Sequence, residues 1–492
     1  MMQVNGIPGA AAKCSVETIA KMKHSIRTVF GDSGTYYGGE KWKDDGGLFP
    51  HGNGQGNGDG PALWAAISSP LLKILRDQGF GIEFLSAISA EILVLAAFGF
   101  VDDMDYIETG KPGESCDELL HRTQQGMDLW ESLLRTTGGA IVVEPGKTDW
   151  VKINFEEKNH KMVMAKMNSD EKLFVRNTDG ERKQLEQLDV STARKTLGVM
   201  QCVNGDEEAE IKYLLEKIET WKKNIWRSIL QHEDIRCAVQ ATIGKTLSYP
   251  LPATAFTQAQ CSRISSAFLK TALPKTGVVR SASRQLVFAP TSVMGLGYED
   301  FYMLQLAEHT LLLLDHGNAK TITGQIIRNL AEGTLVENGL GGDIFDMPHS
   351  TITWTTHTWL KNTLIGFENS DMSISHTLPQ LTLWKDNDVF LIEKFITAKR
   401  FSSSQMEILN EVRMYLKVST LSDITISDGT RFSSWALRVE PSNSCSSQRY
   451  AWPNTATPSR KHKELWRSAL RMAFARQTMN RIDRNLVTNT WL

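Results

Sequence analysis

Two adjacent aspartates, Asp102 and Asp103, directly follow an apolar segment that ends in Phe100 and Val101. An apolar run of this kind predicts a buried strand, so the acids would be held on rigid backbone at a turn that solvent reaches. Carboxylate oxygens suit hard divalent cations such as Mg²⁺ or Mn²⁺. Two such metals, about 3.5 to 4 Å apart, serve phosphoryl transfer onto a growing nucleic-acid strand. Asp102 and Asp103 are therefore candidate metal ligands and catalytic residues, with an ordinary surface turn as the alternative.

A third acid, Asp105, follows two positions after Asp103. Side chains alternate between the two faces of a strand, so both carboxylates are expected on the same face. Asp105 would either assist metal binding or be a solvated residue of the hairpin.

A hairpin and a helix are the elements expected to position these acids. The segment Leu93–Phe100 predicts a strand that turns at Asp102-Asp103 and returns through Tyr106. A helix from Cys116 to Leu134 follows, ended by Thr137-Gly138-Gly139. Further helices are expected over 15–30, from Pro61 through Leu75, and over 207–232, 257–272, 300–315 and 461–480, and further strands over 140–143 and 150–155.

The composition is that of a globular protein with several domains. The chain has 492 residues, of which 41% are hydrophobic and 22% charged. Its longest apolar run, Ile92–Val101, is too short for a bilayer, and no secretory signal opens the sequence. The six cysteines are widely spaced, which favours reduced thiols over a disulfide framework or a zinc site. We therefore expect an intracellular protein, nuclear or cytoplasmic, that is not secreted and does not bind a membrane.

Charge is divided along the chain although the net charge is only −2. Carboxylates gather between Asp102 and Glu131, whereas arginines and lysines crowd the tail from Arg460 to Arg484. A polymerase needs such a division, because metals require acids and nucleic-acid phosphates require bases.

Five short motifs in series resemble a known family. They resemble, in order and spacing, motifs B to E of reverse transcriptases, and two later segments resemble the thumb region of non-LTR retroelements. The first five are Gly54-Gln55-Gly56 with Pro61 and its helix, Phe100-Val101-Asp102-Asp103, Thr137-Gly138-Gly139, Lys147 and Leu197-Gly198-Val199; the two later ones are Leu273-Pro274-Lys275 and Gly295-Leu296-Gly297.

The resemblance implies an α+β fold, with a polymerase palm whose antiparallel sheet is backed by helices, followed by a helical thumb. It divides the chain into a palm at residues 1–205, a thumb-like domain at 206–325 and a C-terminal domain of uncertain fold at 326–492. The implied partners are an RNA template, a DNA primer and deoxynucleoside triphosphates, and the implied metal is Mg²⁺ or Mn²⁺.

The resemblance also assigns roles to single residues. Gly54, Gln55, Gly56 and Phe100 would contact the incoming nucleotide and the template. Lys147 would lie near the triphosphate as a proton donor or a charge clamp, and Leu197-Gly198 would belong to the primer grip. The residues alone leave other interpretations open, since the glycine run suits a flexible loop and Lys147 suits a solvated turn.

One family feature has no match in this sequence. The first catalytic aspartate of these enzymes lies on a strand several tens of residues before the glycine loop. The acids before Gly52 fall in expected helices or turns, and Asp32 lies in the turn-like Gly31-Asp32-Ser33-Gly34; they are Glu17, Asp32, Glu40, Asp44 and Asp45. The resemblance therefore implies an incomplete or inactive polymerase that lacks this aspartate and the fingers.

Two other functions remain open. The chain can be a non-catalytic nucleic-acid-binding remnant, in which basic helices grip phosphates while Trp221, Trp226 and Trp466 stack on bases. It can also be an unrelated metal-dependent phosphotransferase with a similar hairpin.

Overall fold

The structure is a computed structural model of the chain. It describes residues 8–21, 24–28, 31–37, 60–100, 103–144, 146–167, 170–177, 180–383, 388–426, 431–442 and 449–474.

Helices dominate the described residues from 208 onward. Short 3-10 turns and one π-helical turn, Val239–Ile243, separate some of them. In chain order the helices are α1 Gly9–Lys21, α2 Gly60–Asp77, α3 Cys116–Thr136, α4 Glu208–Arg227, α5 His232–Ala238, α6 Gly244–Ser248, α7 Gln258–Lys275, α8 Arg284–Phe288, α9 Phe301–His316, α10 Ile322–Asn338, α11 Trp359–Ser370, α12 Leu391–Thr397, α13 Ser403–Leu416, α14 Ser434–Arg438 and α15 Arg460–Phe474.

The strands are short and pair two by two. The pairs are β1–β2, β3–β4, β5–β6, β7–β12, β8–β9, β10–β11 and β13–β14. The mixture of helices and small antiparallel sheets confirms the α+β class. In chain order the strands are β1 His24–Thr28, β2 Gly31–Tyr37, β3 Ile82–Leu85, β4 Ile92–Leu95, β5 Ala97–Phe100, β6 Asp103–Tyr106, β7 Asp149–Val151, β8 Phe155–Lys158, β9 Lys161–Met164, β10 Phe174–Arg176, β11 Arg182–Gln184, β12 Glu186–Leu188, β13 Arg194–Thr196 and β14 Val199–Gln201.

The chain divides into two compact units. Unit 1 comprises Met1–Glu83, Val94–Trp150 and Ser169–Glu186, and unit 2 comprises Phe84–Leu93, Val151–Asn168 and Gln187–Leu492. The division into a palm, a thumb and a third domain stays a prediction.

Each unit has its own buried apolar clusters. In unit 1, one cluster joins α2 to α3 through Leu71, Leu75 and Trp130, and a smaller one surrounds Val175. In unit 2, one cluster lies within residues 211–302, and a larger one is built mainly by residues 306–474.

The predicted helix over 15–30 is wrong over residues 24–28. Helix α1 ends at Lys21, and β1 then pairs antiparallel with β2, with Thr28 opposite Gly31. Residues 24–37 are rich in β-branched and aromatic types, which favour strands. The expected turn at Asp32 is therefore wrong too, because Asp32 lies in β2 opposite Arg27.

The predicted helix from Cys116 is confirmed, and it runs to Thr136. Ser115 caps its first turn in a capping box with Glu118, and Gly138 has a φ of +82° just beyond its end. The expected strand over 140–143 is wrong, because this segment is irregular. Ile141 nevertheless packs against the apolar clusters of unit 1, so its apolar character reflects burial without strand pairing.

The predicted helix over 207–232 ends early, at Arg227. Its expected core positions Ile211, Leu214 and Ile218 are buried, whereas Ile229 lies beyond the helix and is 100% exposed. The Ser228 backbone is extended, with a ψ of 153°, and this breaks the helix before Ile229. The helices expected over 257–272 and 300–315 are confirmed as α7 and α9.

The basic helix expected over 461–480 is present as α15 for residues 460–474, and its remainder lies outside the described residues. None of the described helices is both long and apolar enough to traverse a lipid bilayer.

Candidate functional site

Strands β5 and β6 form an antiparallel hairpin at the predicted acidic motif. Phe100 lies opposite Asp103, and Phe98 lies opposite Asp105. Opposite residues of an antiparallel pair share a face, so these two aromatic rings and two carboxylates occupy the same side of the hairpin. All four are exposed, and Phe100 is 61% exposed. The hairpin therefore presents acids and aromatic rings together on an open face.

The other face of the hairpin packs against an apolar cluster of unit 1. Met104 packs partly buried against the cluster of Leu71, Leu75 and Trp130, which belong to α2 and α3. The alternation of exposed Asp103 and Asp105 with the more buried Met104 and Tyr106 is what a half-buried strand requires. Burial of one face holds the open face in a defined orientation.

A partly buried ion-pair network joins the end of β6 to α3. The Tyr106 hydroxyl donates to Glu108 Oε2 at 2.6 Å, and Arg122 of α3 forms an ion pair with the same carboxylate. Arg122 also contacts Glu114 Oε2 at 2.8 Å, and this contact lowers the pKa of Glu114 to about 2. Burial raises the pKa of Tyr106 above its ordinary value, so the hydroxyl stays protonated and remains a donor.

Within the described part of this hairpin, Phe100 and Asp103 are the predicted site residues that lie together. Asp102, its expected partner, lies outside the described residues. The predicted template-binding residues Gly54, Gln55 and Gly56 also lie outside them.

Lys147 lies in unit 1, in a turn closed by its own N–H, which donates to the Glu144 carbonyl at 3.0 Å. Its side chain is exposed, and Gly146 before it has a φ of +78°. Lys147 in this position can be a solvated lysine of a turn or can bind a triphosphate, so its role stays a prediction.

The hairpin offers ligands of the type that the expected metal prefers, but the described residues do not form a complete ligand set. Exposed carboxylates suit Mg²⁺ or Mn²⁺, and Asp103 would hold such an ion with Asp102. Within the described parts of the chain, however, no three His, Cys, Asp or Glu side chains come together as a ligand set.

The predicted primer-grip residues form the turn of a second hairpin, β13–β14, in unit 2. Thr196 pairs with Val199, and Leu197 and Gly198 between them have φ values of +48° and +90°. Positive φ at both positions is the requirement of a two-residue turn of type I′. The Tyr249 hydroxyl donates to the Leu197 carbonyl at 2.7 Å, so the turn is tied to the residue that follows α6.

A cleft of about 330 Å³ opens beside this turn. Its lining includes Gly198, Tyr213, Lys217, Lys245 and Tyr249. Lysines surround one of its rings: Lys217 Nζ lies 4.4 Å from the centre of the Tyr213 ring, and Lys217 leads the contacts that lower the pKa of the Tyr213 hydroxyl.

Strand β13 adds a third lysine to this group. Lys195 Nζ donates to the Tyr213 hydroxyl at 3.1 Å. The acid in the cleft wall, Glu210, is 1% exposed and accepts the Met200 N–H at 2.6 Å. Burial raises the pKa of Glu210, and the three lysines outnumber this one acid of the cleft wall. Cations beside aromatic rings suit the binding of a nucleic-acid strand, because the cations can contact its phosphates and the rings can stack on its bases.

The three tryptophans proposed to stack on bases differ in accessibility. Trp466 is 0% exposed, and its indole N–H donates to the Ala436 carbonyl at 3.0 Å, so the expectation for this residue is wrong. Trp221 packs against the apolar cluster of residues 211–302. Trp226 is 61% exposed, with Lys275 Nζ 5.4 Å from its ring centre, and is the one of the three that a base can reach.

Sequence reasoning missed the residues that hold these two hairpins in place. Glu108, Arg122 and Tyr249 act through partners many positions away, which no local pattern reveals. Among the residues behind these hairpins, Gly126 was the one that the sequence could have indicated, because a glycine inside a strongly helical pattern indicates close packing.

No protein-family model matches the chain, and no curated protein has a significantly similar sequence.

Proposed function

We propose that the chain is an RNA-directed DNA polymerase of retroelement origin, with β5–β6 as its catalytic hairpin. The observation that carries this proposal is the register that places Phe100 opposite Asp103 on an open face while the other face packs on α2 and α3. Acids on rigid backbone at a solvent-reachable hairpin are what nucleotide addition onto a primer requires.

The residues divide the work by their chemistry. Asp103, with Asp102, would hold the Mg²⁺ or Mn²⁺ ion, and the metal would supply charge neutralisation at the phosphates. Phe100 would offer an apolar surface to the incoming base or the template. The turn at Leu197-Gly198 would position the primer end, because its backbone is held by Tyr249.

The test is primer extension on a primed RNA template with Mg²⁺ or Mn²⁺. The chain is compared with its Asp102→Ala, Asp103→Ala double variant, with Asp103→Asn, and with Asp315→Asn, which changes an exposed aspartate of α9. Because the sequence shows no match for the family's first aspartate, we expect extension by this chain alone to be weak but measurable.

Extension that disappears in Asp103→Asn and persists in Asp315→Asn supports the catalytic hairpin. It also means that another acid replaces the missing aspartate. Equal extension by the chain and its double variant contradicts the proposal. The absence of extension in every form favours the second candidate.

That second candidate is a non-catalytic nucleic-acid-binding protein, favoured by the cleft that Lys217 and Lys245 line and by the contacts of Lys195 and Lys217 with Tyr213 in its wall. Lysines that bind phosphates release counterions, so the affinity for a strand falls as salt rises. A Lys195→Gln, Lys217→Gln, Lys245→Gln variant should weaken RNA binding. It should also lower the slope of log affinity against log salt by about one for each phosphate that the variant no longer binds.

Lys270→Gln, Lys394→Gln and Lys399→Gln together remove the same charge outside the cleft and serve as the control. Binding that survives the Asp102→Ala, Asp103→Ala change and depends on the cleft lysines supports the second candidate. Equal loss of affinity in both lysine variants indicates attraction by overall charge and rejects the cleft.

A further inference from the structure

The hydroxyl of Tyr213 in α4 is contacted by the ammonium groups of two lysines. Lys195 of β13 donates from Nζ to this hydroxyl at 3.1 Å, and the same Nζ lies 5.0 Å from the ring centre. Lys217 lies one turn further along α4, with its Nζ 4.4 Å from the ring centre and in contact with the hydroxyl. Two cations from different elements therefore act on one phenol oxygen.

This phenol oxygen lies where a ligand can reach it. Tyr213 is half-buried and lines the cleft of about 330 Å³ beside the β13–β14 turn. Its contact with Lys195 is exposed, and Lys217 and Lys245 also line the cleft. A phosphate group that enters the cleft would therefore meet both the tyrosine oxygen and several cations.

The two lysines change the chemistry of the phenol. An ammonium group that donates to the oxygen favours the charged tyrosinate over the neutral hydroxyl, and the contacts with Lys217 and Lys195 lower the pKa of Tyr213. Burial has the opposite effect elsewhere in the chain, since it raises the pKa of Tyr106 and Tyr302. A lowered pKa is one means of activating a nucleophile, and tyrosine is among the residues that form covalent intermediates.

We propose that Tyr213 is a nucleophile that attacks a phosphodiester of a nucleic-acid strand bound in this cleft. The tyrosine oxygen forms a bond to phosphorus, and the bond from phosphorus to one bridging ribose oxygen breaks. Tyr213 gives up its proton to solvent, and the leaving ribose oxygen takes up a proton from solvent. One part of the strand is then joined to Tyr213, and the other part ends in a free hydroxyl. Lys195, Lys217 and Lys245 would offset the negative charge of the phosphate during this step.

This proposal rests on the second candidate function, because the strand must first bind in the cleft. It is independent of the acidic hairpin, since Tyr213 belongs to unit 2 and Asp103 to unit 1. Strand binding and covalent attachment are therefore measured separately, and both are measured without divalent metal.

The probe is a fluorescent single-stranded DNA oligonucleotide, because the 2′-hydroxyl of RNA would attack a neighbouring phosphate bond. Fluorescence anisotropy measures affinity, and a protein–DNA band that survives sodium dodecyl sulfate measures covalent attachment. A label at the 5′ end is retained if the 5′ oxygen leaves, and a label at the 3′ end is retained if the 3′ oxygen leaves. We expect a band with one of the two labels. Mass spectrometry after nuclease treatment should locate the attached nucleotide on the tryptic peptide of residues 213–217.

Tyr213→Phe keeps the ring and removes only the nucleophilic oxygen. It should reduce the covalent band at least about tenfold, while stacking on the ring is retained, so strand affinity should change less than about threefold. Tyr298→Phe is the matched control, because it removes a tyrosine hydroxyl that does not line this cleft. This control should leave the band and the affinity unchanged.

The possible failures of the two functions are distinct. A strand that binds without forming a covalent band would overturn the nucleophile and leave the second candidate function in place. An equally strong band in Tyr213→Phe would overturn it as well. If the unchanged chain does not bind the strand at all, the cleft is rejected as a nucleic-acid site, and this proposal is rejected with it.

Discussion

Gly126 of α3 faces the ring of Tyr106 so closely that a Cβ atom at position 126 would overlap the Tyr106 hydroxyl and lie 2.7 Å from its Cζ atom. The same hydroxyl donates to Glu108, which is paired with Arg122. The position of β6 in the acidic hairpin therefore depends on the absence of a side chain at Gly126 in α3.

Replacing Gly126 should therefore destabilise unit 1. In Gly126→Ala the added methyl group forces the Tyr106 ring away from Glu108, and we expect a loss of about 1 to 3 kcal/mol in the free energy of unfolding. Gly333 lies inside α10, and a Cβ atom added there would meet nothing within 4 Å, so Gly333→Ala should be neutral or stabilising by up to about 1 kcal/mol. Urea unfolding measures both, and equal effects of the two changes would contradict the close approach.

Removal of Arg122 should cost more. The side chains of Glu108 and Arg122 are only 3% and 14% exposed, so Arg122→Met leaves a buried carboxylate without its cation, and a loss of about 3 to 5 kcal/mol is expected. Arg263→Met removes one partner of an exposed pair and should cost less than about 1 kcal/mol. An Arg122→Met, Glu108→Gln double variant keeps an acceptor for the Tyr106 hydroxyl and should recover part of the stability; no recovery would show that the pair is not coupled.

The turn at Gly198 offers a test of the proposed primer grip. Gly198→Ala places a side chain at a φ of +90° and 3.2 Å from the Tyr249 ring, so the turn must shift away from Tyr249. Gly205 has a similar φ of +77° without neighbours, so Gly205→Ala imposes comparable strain elsewhere in unit 2. We expect several-fold weaker binding of a primer–template duplex only in Gly198→Ala, measured by fluorescence anisotropy; equal affinities in the two variants would reject the turn as a contact.

His309 predicts how the stability of unit 2 depends on pH. This residue is 1% exposed, and burial lowers its pKa to about 4, well below the 6.5 of an unfolded chain. The unfolded state therefore takes up a proton first as pH falls. The contribution of the neutral His309 side chain to the free energy of unfolding is fully present above about pH 6.5. It decreases toward pH 4, by up to about 3 kcal/mol.

His309→Gln removes this proton linkage while retaining a polar partner for Thr363, whose hydroxyl lies 3.0 Å from His309 Nδ1. Its urea midpoint should fall less between pH 7 and pH 4.5 than that of the unchanged chain. An identical decrease in both proteins would assign the pH dependence to other groups.

Local chemistry in the sequence was enough to predict several elements. Helix α3 begins at the capping box of Ser115 and Glu118 and ends at the glycines after Thr137. Both signals are local, because caps and left-handed turns depend on residues within a few positions. The two-residue period likewise places Asp103 and Asp105 on one face of β6. The acidic hairpin could therefore be recognised from its own residues.

Other features were decided by residues distant in the sequence. The apolar segment 140–143 packs without pairing, and the helix predicted through Ile229 stops at Arg227, where the backbone of Ser228 is extended. The joining of Glu108 to Arg122, and of Lys245 to Glu299, likewise required the folded chain. Periodicity and capping act over a few residues, so the sequence determined candidate acids and element types; which side chains meet depends on tertiary packing, and only the structure showed it.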